Sequence, residues 1–154
     1  MKKTHISWDV FQADCNIAAT KAISNNIKFD AIIAIGRGGV VPARIMAEIV
    51  KPTDFYVIGL RLYDGYKAGG KVEMYQDIPS DAAFDRHSKI LIVDDISDTG
   101  TTLNYAFVQM YIGSGGGTIR TACPYMKVGT TREPTSYSKC FPKDEWLIFP
   151  FERD

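Results

Sequence analysis

At 154 residues, 45% of them hydrophobic, the chain has the size and apolar content of one domain built on one core. Lysine plus arginine equals aspartate plus glutamate at 18 each, which excludes a net field drawing the protein to nucleic acid or to an anionic membrane. Three widely spaced cysteines, Cys15, Cys123 and Cys140, with no CxxC pair, argue against a disulfide framework and a zinc site and fit a reducing cytoplasm. The basic start MKKTH is not followed by an apolar run of signal-peptide length, and no stretch approaches the ~20 apolar residues of a membrane span. A soluble, unprocessed, cytoplasmic chain is expected.

In chain order, Ser7 caps a predicted helix from Trp8, with Phe11, Cys15, Ala18, Ala22 and Ile23 near helical spacing and Asn25-Asn26 as its end. Phe29 to Ile35 (FDAIIAI) has the continuous apolar character of a strand covered on both faces and runs into Gly36-Arg37-Gly38-Gly39. Pro42 suits the first turn of the helix carrying ARIMAEIV, and Asp54 to Leu62 predicts the next strand. Tyr63 to Pro79, with three glycines and mixed charge, predicts a long mobile loop or ribbon. Lys89 to Val93 is another buried strand, Thr101 to Ile112 a helix stopped by the cluster from Gly113 to Gly117, and Thr118 to Lys127 a further strand. Strands alternating with helices predict a single α/β domain over residues 1–154 with a mainly parallel central sheet flanked by helices.

The most informative run is Ile90 to Thr102, ILIVDDISDTGTT. Four aliphatic residues make a strand that ends in two carboxylates and continues through a short turn into a helix. Ligands gather at the carboxyl ends of parallel strands, and the helix start presents unpaired N–H groups and the positive end of its dipole. A phosphate fits there: Gly100 lets the backbone approach, and the hydroxyls of Thr99, Thr101 and Thr102 add donors. Asp94 and Asp95 lie one sugar length away, able to accept hydrogen bonds from adjacent ribose hydroxyls and to hold Mg²⁺ directly or through water. A lone DxxT would be an ordinary helix cap, but here three acids, a glycine and three threonines coincide. A Walker P-loop is excluded because no GKT or GKS follows the glycine. The second strand-to-helix turn, Gly36 to Gly39, offers backbone donors and the cation of Arg37, as a diphosphate opposite the ribose site requires.

VDDISDTGTT resembles the phosphoribosyl pyrophosphate motif of the type I phosphoribosyltransferases. The order of SWD, RGGVVPAR, LYD, VDDISDTGTT, a lysine at 127 and a tryptophan followed by FPFE is similar to the bacterial xanthine-guanine members of that family over nearly the whole chain. The resemblance implies that fold with a small C-terminal hood, about 128–154, and Mg²⁺-dependent transfer of phosphoribosyl from phosphoribosyl pyrophosphate to N9 of a 6-oxopurine in purine salvage. Arg37 and Gly38 would belong to the pyrophosphate loop, with a cis peptide expected at Arg37-Gly38. The loop of about 63–79 would close over the site, with Lys71, and less so Lys67, on the pyrophosphate. Lys127 would donate to the base 6-oxygen, Trp146 would stack on the purine, and Leu147 would supply main-chain groups to its 2-position. Asp94 and Asp95 would take ribose and metal, Thr99 to Thr102 the 5-phosphate, and Asp98 would be the acid/base group near N7. A homodimer or homotetramer is implied as well.

Two features depart from the pattern: little chain follows the tryptophan, and Leu60-Arg61-Leu62 stands where small polar residues are expected. Alternatives are a phosphoribosyltransferase for orotate or uracil, which the Lys127 and Trp146 pair disfavours, and a non-catalytic regulator sensing phosphoribosyl pyrophosphate and binding protein or RNA.

Overall fold

The computed structural model describes residues 1–63 and 70–153. Its centre is a five-stranded sheet in the order β4-β3-β2-β5-β7, formed by β2 (Ala31–Gly36), β3 (Asp54–Leu62), β4 (Val72–Gln76), β5 (Lys89–Val93) and β7 (Thr118–Ala122). Four of these strands run parallel and β4 is antiparallel to β3. The expectation of a mainly parallel sheet flanked by helices is met.

Because β2 and β5 are apolar on both faces, alternate residues supply two cores. Ile32, Ala34, Leu91 and Val93 face α1 (Trp8–Ala22) and α2 (Val40–Val50), against Phe11, Cys15, Ala18, Ala43 and Met46. Ile33, Ile35, Ile90 and Ile92 face α3 (Thr101–Gly113), against Leu103, Ala106 and Met110. Ser7 caps α1 as its sequence position predicts, accepting from Val10 N at 3.3 Å.

Three differences from the expected elements bear on the site. The stretch predicted as one strand from Thr118 to Lys127 is two: β7 ends at Ala122, and after Cys123-Pro124 the chain re-enters as β8 (Tyr125–Lys127) in another sheet. Pro124 has no N–H to continue the ladder. Beside β8 lie β6 (Ile96–Ser97) and β9 (Lys139–Phe141), all parallel. Within the stretch read as loop or ribbon, Val72–Gln76 is an ordered edge strand, its partly buried Val72 and Met74 alternating with more polar neighbours. Lastly, β1 (Lys2–His5) pairs in parallel with β10 (Glu145–Ile148), placing Lys3 opposite Trp146 and Thr4 opposite Leu147. No helix among the described residues is long and apolar enough to cross a membrane.

Candidate active site

Register brings the carboxyl ends of the central strands together. Ala34 of β2 is level with Val93 of β5, and Gly36 is level with Gly59 of β3. The turns that follow therefore open on one cavity of about 540 Å³, which gathers Arg37, Gly38, Asp94, Asp95, Asp98, Thr99, Gly100, Thr102, Lys127, Trp146 and Leu147. Thr101 and Lys71 are absent from its lining: Thr101 turns into the first turn of α3, accepting from Thr99 Oγ1 at 3.1 Å, and Lys71 is exposed where the chain enters β4. Lys67 lies outside the described residues.

The turn after β5 is held open by its glycine. Gly100 occupies the N-cap of α3 at φ +85°, a left-handed conformation that disfavours side chains, and gives the helix no side-chain cap. A Cβ at Gly100 would run into Arg132 N and come within 2.7 Å of Thr130 Oγ1. That neighbouring segment buttresses the turn: Thr131 N and Oγ1 both donate to Thr99 O, at 2.9 and 2.8 Å, and Ser97 Oγ donates to Arg132 O at 2.7 Å. A helix start of this kind, with a bare N-cap and hydroxyls around it, suits a phosphate.

The glycine loop after β2 lies against the acidic pair. A Cβ on Gly38 would overlap the Asp95 carboxylate, and one on Gly39 would come within 2.5 Å of Val93 O and 2.7 Å of Ile35 O. The loop contains a cis non-proline peptide, at Gly36-Arg37 rather than at the expected Arg37-Gly38. The turn after Ile35 reverses at the first glycine, with Gly39 N donating back to Ile35 O at 2.8 Å.

Asp94 and Asp95 are adjacent carboxylates drawn away from water. Burial pushes Asp94 well above the ordinary carboxylate range, with the neighbouring Asp95 charge adding to the effect. Burial likewise raises Asp95 from 3.8 to about 6, and the charge of Glu152 adds to it. A pair so destabilised as anions is short of positive charge. Among the described residues no cluster of three or more His, Cys, Asp or Glu forms a metal cage, so a cation here would take its remaining oxygens from a ligand.

At the other end of the cavity, β8 carries Lys127 into a nearly closed position, 5% exposed. Its Nζ lies 3.3 Å from Asp98 Oδ2 and 5.7 Å from the centroid of the Trp146 ring, over the ring face. Several other lining residues had no site role assigned from the sequence: Leu60, Arg61 and Leu62 from the end of β3, noted only as a departure from the family pattern, and Phe149 and Glu152 from the turn after β10. Glu152 Oε2 accepts from Phe149 N at 3.0 Å and folds that turn back over the site. Only the FPFE run flagged by the resemblance hinted at this turn.

A strand-turn-helix phosphate cradle, an acidic pair and a glycine loop on one cavity agree with the family to which the sequence itself matches, the phosphoribosyl transferase domain, over residues 7–154. The chain belongs to that family. It is a transferase, and its fold is shared with solved members. A purine phosphoribosyltransferase from Pyrococcus horikoshii Ot3 superposes with a TM-score of 0.83 at 28% identity, covering 100% of this chain and 97% of that one. A xanthine-guanine-hypoxanthine phosphoribosyltransferase from Helicobacter pylori gives 0.74 at 20% identity over 96% and 90%. A protein from Neisseria gonorrhoeae solved with bound ppGpp gives 0.78 at 23% identity over 99% and 90%.

Proposed function

We propose that this phosphoribosyltransferase transfers the 5-phosphoribosyl group of phosphoribosyl pyrophosphate to N9 of a 6-oxopurine, releasing pyrophosphate. The observation that carries the choice of base is the buried Lys127 ammonium over the face of Trp146, in the same cavity as the cradle from Asp94 to Thr102. A planar base stacked on Trp146 would meet, at its edge, a strong donor able to bond a ring carbonyl oxygen. The similarity to the Pyrococcus purine enzyme, the most alike in sequence of the three structures described, supports the same reading.

In this reading Thr99, Gly100 and Thr102, with the N–H groups opening α3, hold the 5-phosphate, and Thr101, whose side chain is outside the cavity lining, contributes through its backbone. Asp94 and Asp95 accept from the ribose hydroxyls. Arg37 and Gly38 face the departing diphosphate, and Leu147 offers main-chain groups to the 2-position of the base. Asp94 and Asp95 are the residues that would hold Mg²⁺, whose charge would stabilise the leaving group. Positive charge grows at ribose C1 as the bond to pyrophosphate breaks, and the carboxylate-rich wall lowers the energy of that state. The base attacks from the opposite side, and Asp98 takes or shares the proton near N7, a role its pairing to Lys127 supports. Lys71, from the segment leading into β4, would have to move to reach pyrophosphate. Purine salvage in a homo-oligomeric cytoplasmic enzyme is the setting this implies.

The test is a spectrophotometric assay with phosphoribosyl pyrophosphate, Mg²⁺ and, separately, guanine, xanthine, hypoxanthine, adenine and orotate. Turnover of one or more 6-oxopurines is expected. Turnover of adenine or orotate with none of the 6-oxopurines would refute the base assignment and leave the family intact.

A further inference from the structure

The turn that opens α3 is steadied from outside the helix. Glycine at the N-cap leaves α3 without a side-chain cap, and a phosphate seated there needs N–H groups of the first turn for itself. What fixes the turn must therefore hold its carbonyls. Two are held: Asn104 N donates to Gly100 O at 2.8 Å, and Thr131 N and Oγ1 both donate to Thr99 O, at 2.9 and 2.8 Å. The second grip comes from residues 130–132, which belong to no helix or strand and have no ladder of their own. Ser97 ties this segment at one side, with its Oγ 2.8 Å from Thr130 Oγ1 and donating to Arg132 O at 2.7 Å.

The Arg132 side chain ties it at the other. Its Nε and Nη2 both donate to Asn104 Oδ1, at 3.0 and 2.6 Å, and its Cζ lies 4.1 Å from the centroid of the Phe107 ring. Asn104 and Phe107 are three residues apart and share a face of α3. A planar guanidinium can donate edge-on to one while stacking on the other, which an ammonium cannot do. Asn104 is also the residue whose N–H closes the first turn of α3 on Gly100 O, so the arginine grips the helix at the turn in question. Arg132, Asn104 and Phe107 are all absent from the cavity lining. We propose that Arg132 is a positioning residue for the 5-phosphate: it touches no ligand, but clamps residues 130–132 to α3 and, through Thr131, fixes the turn that carries the phosphate donors. Lys127 is held separately, by the ladder of β8 on β9 that sets it level with Phe141, so the clamp acts on the phosphate end of the cavity and not on the base end.

The proposal rests on the phosphoribosyl-transfer reading, and binding measurements keep the two apart. Phosphoribosyl pyrophosphate and inorganic pyrophosphate, each with Mg²⁺, are titrated calorimetrically into the wild-type protein, Arg132→Ala, Arg132→Lys and Asn104→Leu, at a temperature where melts show each to be folded. Arg132→Ala is expected to weaken phosphoribosyl pyrophosphate about tenfold, on the order of one charged hydrogen bond, and to leave pyrophosphate, which lacks the 5-phosphate, within about twofold. Arg132→Lys keeps a cation near Phe107 without the fork and should recover part of the loss. KM for phosphoribosyl pyrophosphate should rise while kcat and KM for the base stay within about threefold, the mark of a lost grip on one substrate rather than of general loosening. Asn104→Leu breaks the same contact from the helix side and should match Arg132→Ala, so either variant can decide the matter alone. Phosphoribosyl pyrophosphate affinity within about twofold of wild type in either variant would overturn the proposal, as would an equal loss for pyrophosphate or a wild-type protein that binds no phosphoribosyl pyrophosphate. Wild-type protein that binds it but transfers to no base would refute the function reading alone, and the titrations would still judge Arg132.

Discussion

Lys127 Nζ and Asp98 Oδ2 sit 3.3 Å apart, one from β8 of the small sheet and the other from the turn between β6 and α3. Each thus holds the other at the base end of the cavity, and a base arriving there must share the lysine. Lys127→Met should raise KM for the base at least about tenfold, the value of a lost charged hydrogen bond, and leave KM for phosphoribosyl pyrophosphate nearly unchanged. Asp98→Asn should lower kcat by about a hundredfold through the lost proton-transfer group. A loss under about tenfold, or ~1.4 kcal/mol, would remove that role from Asp98.

Asp14, buried in α1, is the acceptor for three donors from the far end of the chain: Tyr125 Oη at 2.8 Å, Ser138 Oγ at 2.6 Å and Lys139 Nζ at 3.0 Å. Replacing it with alanine strands a buried phenol and removes a buried charge partner. Asp14→Ala should lower stability by about 3 kcal/mol, read as a shift in the urea midpoint. Lys139, half exposed, should matter less, and Lys139→Met should cost under about 1 kcal/mol.

The raised carboxyls of Asp94 and Asp95 set a pH dependence for the ligand-free protein. Because Asp95 titrates near 6 when folded and near 3.8 otherwise, the folded state holds more protons between those values, and stability falls as pH rises through that window. The raised Asp94 acts in the same direction. Asp95→Asn should therefore melt with the wild type at pH values below the window and above it at neutral pH. Denaturant melts at a series of pH values measure the difference, and a gap independent of pH would contradict the assigned cause.

Gly38 and Gly39 are next to each other and should fail differently. A methyl group at 38 meets the Asp95 carboxylate, which can turn aside, whereas one at 39 meets backbone carbonyls of β2 and β5, which cannot. Gly38→Ala should fold and lose affinity for phosphoribosyl pyrophosphate and Mg²⁺, while Gly39→Ala should lose about 1–3 kcal/mol of stability. Thermal melts of both variants, with substrate KM values for the first, separate the two outcomes.

The cradle was legible in the sequence because all its parts are contiguous: strand, acids, glycine and threonines fall within Ile90 to Thr102, and local geometry alone brings them to one strand end. The central strands were legible for a similar reason, each being an uninterrupted apolar run. What was not legible depends on partners remote in sequence. Asp14 looks like any surface acid until Tyr125 and Lys139 close on it from more than 110 residues away. Arg61 becomes a cavity residue only through the register of β3 on β2. The break at Pro124 was visible as a residue, yet that the chain would leave one sheet for another there depends on β6 and β9 offering edges to pair with.

The pairing of β1 with β10 has a consequence for how the molecule comes into being. Trp146 and Leu147 lean on Lys3 and Thr4, and Thr4 Oγ1 also donates to the buried Glu145. The wall that would receive the base is therefore woven from residues more than 140 positions apart, with the highest loop-closure entropy of any strand pair in the fold. During synthesis the phosphate cradle needs the chain only as far as its buttress at Thr130 to Arg132, but the base wall must wait for β10 to emerge. Removal of residues 2–5, or a bulky fusion wedged against them, would act on base recognition from the opposite end of the polypeptide.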